Sequence, residues 1–156
     1  RSIQAGEIVS FDTDMVGPYG YCADISRTYV EGNKFSDNQK KLYSMAVDQI
    51  NHNARLIKPG MSFNEFTEKS WVLPEEYYGN RYSVMVHGIG LCDEWPAIRY
   101  PTDGGERSGA FETNMTITVE SYIGKVGGNE GVKLEQQYLV GKNNLELMSH
   151  HPLEDI

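Results

Sequence analysis

At 156 residues the chain is long enough for one domain with its own core and too short for two comfortable ones. Apolar residues make up 39% and charged residues 23%, with no apolar run near the length of a bilayer span, so neither composition nor pattern points to a membrane partner. A formal charge of −8 argues against a nucleic-acid partner, because phosphate recognition demands a basic face.

The chain opens at Arg1 without a signal-peptide pattern, and such a start is expected of a fragment or an excised domain. Residues 1–35 read as strands and turns. Ile8, Val9 and Phe11 form an apolar run that carries Asp12 and Asp14, and strand alternation is expected to aim those two carboxylates at one point. Gly17, Pro18 and Gly20 give a tight reversal, which lets residues 21–28 return alongside and deliver Asp24 to the same place. Three converging carboxylates need a counter-charge. Arg27 is one candidate, and a divalent cation with oxygen ligands suits three aspartates better. Cys22 and Cys92 form no metal-type pair, so a reduced, cytoplasmic compartment is the expectation.

From Ser36 or Asp37 to about Ile57 the period changes. Leu42, Met45, Ala46, Ile50, Ala54 and Ile57 fall at the three-and-four spacing of an amphipathic helix, which Lys58, Pro59 and Gly60 end. Ser62 with Glu65 reads as a capping box, predicting a second helix that runs toward Trp71. Residues 75–81 read as a polar, tyrosine-rich connection, 83–87 as a short strand, 93–113 as loop, and 115–121 and 132–140 as two further strands. The last dozen residues carry little pattern. Together these elements predict an α+β fold, an antiparallel sheet with helices on one face.

Three further residues point at the aspartate site. His87 ends an apolar strand before Gly88, Ile89 and Gly90, a run that permits close backbone approach. Glu120 ends the alternating stretch MTITVE, where the core shuns an unpaired charge, and Glu135 lies in the middle of VKLEQQYLV. Packed together without metal, the five carboxylates among these six side chains would repel strongly. Two divalent ions would supply four positive charges against five negative ones, which makes a dinuclear centre the best single explanation.

The stretches GYCADISRT, VHGIG, MTITVES and GVKLEQQYLV resemble the pita-bread metallopeptidases, the superfamily of methionine aminopeptidase, prolidase, aminopeptidase P and creatinase. The resemblance implies a pita-bread fold, of which residues 1–156 would be the C-terminal, metal-binding part. It also implies Asp24, His87, Glu120 and Glu135 as ligands of two metals, with either Asp12 or Asp14 supplying the first aspartate. Peptidases of the superfamily carry a second histidine seven residues after the ligand histidine, whereas here Asp93 and Glu94 occupy that region, which weakens direct peptidase activity.

The DTD pair, Tyr82 and Asp93 look like one branch in particular, the dimethylsulfoniopropionate lyases. That likeness implies Asp12, Asp14, Asp24, His87, Glu120 and Glu135 as ligands and Asp93 as general base. It further implies iron as the usual metal, with manganese, cobalt or zinc also compatible, and a homodimer as the full-length assembly. Tyr82 is a candidate to hydrogen-bond the substrate carboxylate, Tyr82, Trp71 and Trp95 are candidates to face a sulfonium, and Arg27 is expected to pair with a ligand aspartate. An Xaa-Pro dipeptidase and a catalytically dead binding domain are the rival readings.

Overall fold

The computed structural model describes residues 1–32, 34–105, 108–154 and 156. Strand β1 (Ile8–Asp12) and strand β2 (Met15–Val16) are followed by a 3-10 turn at Pro18–Gly20, then by β3 (Cys22–Ala23) and β4 (Ser26–Val30). β1 pairs with β4 and β2 with β3, so two nested antiparallel hairpins form about the predicted reversal.

Helix α1 (Asp37–Leu56) starts where Ser36 caps it: the Ser36 hydroxyl accepts from Gln39 N–H while the Gln39 side chain accepts from Ser36 N–H. The box expected at Ser62 is only half formed. Ser62 accepts from Glu65 N–H at the start of α2 (Phe63–Lys69), but Glu65 itself turns to Lys69 one helical turn on. Residues 75–81, expected as irregular connection, contain the short helix α3 (Glu75–Tyr78).

A five-stranded antiparallel sheet completes the fold in the order β6 (Ala97–Arg99), β5 (Val84–Gly88), β7 (Thr116–Gly124), β8 (Gly131–Val140), β9 (Leu145–Leu147). The two edge strands fall in stretches read as loop or as patternless. Each is three residues long, too short for alternation to show. Glu106 and Arg107 of the expected 93–113 loop lie outside the described residues.

Alternation divides the sheet. One face of β7 and β8 carries Ile117, Val119, Ile123, Val132 and Leu134, all buried in the core with Leu42, Ala46 and Ile50 of α1. Burying each such side chain contributes roughly 1.5–3 kcal/mol, so this face fixes the register. The opposite face carries Thr118, Glu120 and Tyr122 against Gln137, Glu135 and Lys133, and a slip of one residue would exchange the two sets.

Candidate metal centre

The polar face of the sheet is the floor of the site. In the β7–β8 ladder Glu120 lies directly opposite Glu135, an arrangement that is destabilising for like charges unless a cation intervenes. His87 enters from β5, opposite Thr118 on the same face. Its Nδ1 lies 3.0 Å from Gly88 O, a pairing open to an Nδ1–H donor, and that turns Nε2 toward the acids. Nε2 stands 3.2 Å from Glu135 Oε1, 3.7 Å from Glu120 Oε1 and 3.8 Å from Asp24 Oδ2.

The hairpin layer forms the roof. It docks on β8 through side chains rather than a backbone ladder: the Thr28 hydroxyl donates to Lys133 O at 2.6 Å and accepts from Lys133 N–H at 3.0 Å. Ser26 Oγ stands between Asp12 Oδ1, at 2.6 Å, and Glu135 Oε2, at 3.0 Å, with one proton to give, and Asp24 N–H donates to Gln137 Oε1 at 3.3 Å. Asp24 is thereby set, buried, above the sheet.

Asp12 and Asp14 both reach the site, but not by strand alternation. β1 stops at Asp12, and Asp14 takes a positive φ of 30°, a strained conformation for a residue with a side chain. Carboxylate oxygens of Asp14, Asp24 and Asp93 lie within 4.8 Å of one another, and donor atoms of Asp24, His87 and Glu135 form a second such group. Asp24 belongs to both. Asp12 lies on the other flank, with an oxygen 3.8 Å from Lys133 Nζ.

Asp93 owes its place to Gly88. A Cβ on Gly88 would sit 2.1 Å from Trp95 O, so only glycine lets the loop after His87 fold back over β5. Tyr82 lines the same cavity of about 430 Å³ as Asp12, Asp14, Asp24, Glu120 and Lys133, and its hydroxyl donates to Glu94 Oε1 at 3.1 Å. Trp71 is packed against the core instead, and Trp95 lines a neighbouring cleft with Tyr21 and Leu91. Of the aromatic residues named from sequence, only Tyr82 faces the cavity, joined there by Tyr122.

Arg27 does not pair with a ligand aspartate, contrary to expectation. Its buried guanidinium spends its donors on neutral oxygens of β4, β8 and the C-terminal segment. The cation against Glu120 and Glu135 is Lys133, which sequence reasoning passed over. Its ammonium bonds Glu120 Oε2, stands 3.7 Å from Glu135 Oε2 and lies 4.6 Å over the Tyr82 ring. The available signal was alternation, since Lys133 is two residues before Glu135 and shares its face.

The charges show what kind of ligand this cluster suits. Burial, followed by Glu135, Asp14 and Asp12, pushes the Asp24 carboxyl up to about 8. Burial drives Glu120 up to about 7 in spite of Lys133. At His87 burial opposes the charged ring, but the Glu135 hydrogen bond and the Glu120 charge outweigh it and raise the group to about 9. At Glu135 burial is outweighed by His87 and Lys133, which hold the carboxyl down to about 2. Glu120 Oε1 is buried with no hydrogen-bond partner among the described residues. An orphaned carboxylate oxygen beside an imidazole nitrogen and further carboxylates is a donor set that fits hard or borderline divalent cations.

The family model for metallopeptidase family M24 matches residues 1–142 of the chain. The chain belongs to this family. As an M24 chain it is similar to the dimethylsulfoniopropionate lyase DddP of Roseovarius nubinhibens, at 39% identity over 99% of its own length and 35% of the relative's. It is also similar to DddP of Roseobacter denitrificans, at 37% identity over the same shares. Among solved structures, the prolidase of Pyrococcus horikoshii superposes with a TM-score of 0.81 at 25% identity, covering all of this chain and 44% of that one. The Xaa-Pro dipeptidase of Bacillus anthracis gives 0.76 at 29%, covering 99% and 42%. The M24 chain thus has the pita-bread fold and spans about a third of the length of its curated lyase relatives.

Proposed function

We propose that this chain is the metal-ligand region of a dinuclear lyase that splits dimethylsulfoniopropionate into dimethyl sulfide and acrylate. The supporting observation is Asp93: identity to the lyases reaches 39%, and Asp93 converges with Asp14 and Asp24 where peptidases of the superfamily keep a histidine nearby. In this reading Asp12, Asp14, Asp24, His87, Glu120 and Glu135 hold two divalent ions. Iron is the metal expected first, with manganese, cobalt and zinc compatible with the donors. With Lys133 added, two such ions balance the five carboxylates.

When bound, the ions supply Lewis-acid charge that makes the proton alpha to the substrate carboxylate more acidic. Asp93 takes that proton onto a carboxylate oxygen. The electron pair of the broken C–H bond becomes the new carbon–carbon double bond, the carbon–sulfur bond breaks, and neutral dimethyl sulfide leaves with its pair. Tyr82 and Tyr122 wall the cavity and restrict water. The Tyr82 hydroxyl, held neutral chiefly by burial, exchanges its bond to Glu94 for one donated to the substrate. The full-length enzyme is expected to act as a homodimer in the cytoplasm.

The test is headspace gas from metal-loaded protein given the sulfonium acid, where dimethyl sulfide is the expected product. The rival reading is an Xaa-Pro dipeptidase, which the likeness to prolidase structures favours. Proline release without gas would overturn the lyase assignment in its favour.

A further inference from the structure

Arg27 is a full positive charge, 3% exposed, whose five N–H groups all reach neutral oxygens. Nη1 donates to Ser26 O at 2.8 Å and to Glu135 O at 2.6 Å. Nη2 donates to Gln136 Oε1 at 2.6 Å and to His151 O, and Nε donates to Pro152 O at 3.0 Å. One planar group therefore ties the carbonyl of a candidate ligand residue, Glu135, to two carbonyls of the C-terminal segment. Arg27 does not line the cavity, so the arrangement is not explained by chemistry there.

A second line runs in parallel. Gln137 N–H donates to Ser149 Oγ at 2.6 Å, and Met148 N–H donates to Gln137 O at 2.8 Å. The Gln137 side chain in turn accepts from Asp24 N–H at 3.3 Å. The same segment is fastened at its far end: Tyr29 Oη and His151 Nε2 are 2.8 Å apart, and Glu154 N–H donates to Tyr43 Oη at 2.7 Å. Both lines start in residues 148–152 and end on a residue of the metal cluster, one on Glu135 and the other on Asp24.

We propose that residues 148–152 form a positioning strap which, through Arg27 and Gln137, sets the separation of Glu135 and Asp24 and hence the affinity of the site for divalent cations. β4 and β8 share no backbone ladder, so beyond the side-chain contacts of Thr28 and Ser26 the separation is left to what lies behind the strands. Partners behind metal ligands change affinity by about 10- to 100-fold when lost. The fork of an arginine is suited to the task because it holds several carbonyls in one plane, which a lysine ammonium cannot do. The inference rests on Asp24 and Glu135 being ligands, as proposed above.

The experiment is calorimetric titration of Mn²⁺ into chelator-stripped protein, with the Co²⁺ visible spectrum as a readout of ligand geometry. Arg27→Lys and Ser149→Ala are each expected to raise the Mn²⁺ dissociation constant about tenfold and to alter the Co²⁺ bands. Thr67→Val, which removes a buried hydrogen bond inside α2 away from the cluster, is expected to leave both unchanged and so controls for general loosening. If Arg27→Lys does not fold, Ser149→Ala alone decides. Wild-type affinity and spectrum in Ser149→Ala would overturn the strap. Failure of the wild-type protein to bind Mn²⁺ or Co²⁺ would instead overturn the ligand assignment beneath it.

Discussion

Two residues carry opposite lessons about what a side chain does in this site. Asp93 was singled out by the resemblance to the lyases, and its position depends on Gly88, whose missing Cβ admits the Trp95 carbonyl. Replacing Asp93 with alanine is expected to lower gas release at least 100-fold while metal content, measured by elemental analysis, stays at the wild-type level. Gly88→Ala should lower gas release too, but by displacing the loop, so it should also change the Co²⁺ spectrum. Lys133 was passed over although it shares the face of Glu135, because a lysine in an alternating strand ordinarily faces water. Only the ladder, which sets Lys133 opposite Tyr122 and two residues from Glu135, reveals an ammonium enclosed by acids. Lys133→Met removes that counter-charge and is expected to destabilise the metal-free protein by about 3 kcal/mol in urea. The loss should be smaller with saturating Mn²⁺, since bound cations then offset the same carboxylates.

At the scale of elements, α1 and the two long strands were readable because each buries a periodic apolar face. α1 is anchored to the sheet by more than those contacts. The Gln49 side chain donates to Tyr100 Oη at 2.5 Å and accepts from Ser121 Oγ at 2.6 Å, a buried chain joining α1, the segment after β6, and β7. Gln49→Leu leaves two buried hydroxyls short of a partner and is expected to cost about 1–3 kcal/mol in chemical denaturation. Tyr100 gives the same region a pH signature. Burial raises its phenol from 10 to about 12 even though the Gln49 hydrogen bond works the other way. The folded state therefore holds the proton over a window in which the unfolded chain has lost it. Stability contributed by neutral Tyr100 is complete below pH 10 and falls as pH rises from 10 toward 12, by about 3 kcal/mol in all. Tyr100→Phe should flatten that part of the stability profile.

For the whole molecule, the helices and core lie on one side of the sheet and the acids on the other, so folding gathers charges that repel. A cation that binds only the folded arrangement must stabilise it, by about 2.7 kcal/mol at a concentration one hundred times its dissociation constant. Thermal melts with and without Mn²⁺ are expected to show that gain, and a chelator should reverse it. An unchanged melting temperature at saturation would argue that the cluster is held together by Lys133 and protons alone.

Sequence by itself determined the elements with long periodic faces, the reversal at residues 17–20, and the identity of the acids and imidazole that meet. Those follow from local rules, since periodicity, turn chemistry and motif spacing are properties of neighbouring residues. Tertiary structure alone decided that Asp14 arrives by a strained turn rather than by alternation, and that Trp71 serves the core. It also decided that Lys133 enters the cluster while Arg27 turns away from it. Arg27 finds most of its partners in residues 135–152, Lys133 meets Glu120 across the β7–β8 pair and Trp71 meets Asn53 of α1, and contacts made by packing of separate elements leave no local pattern to read.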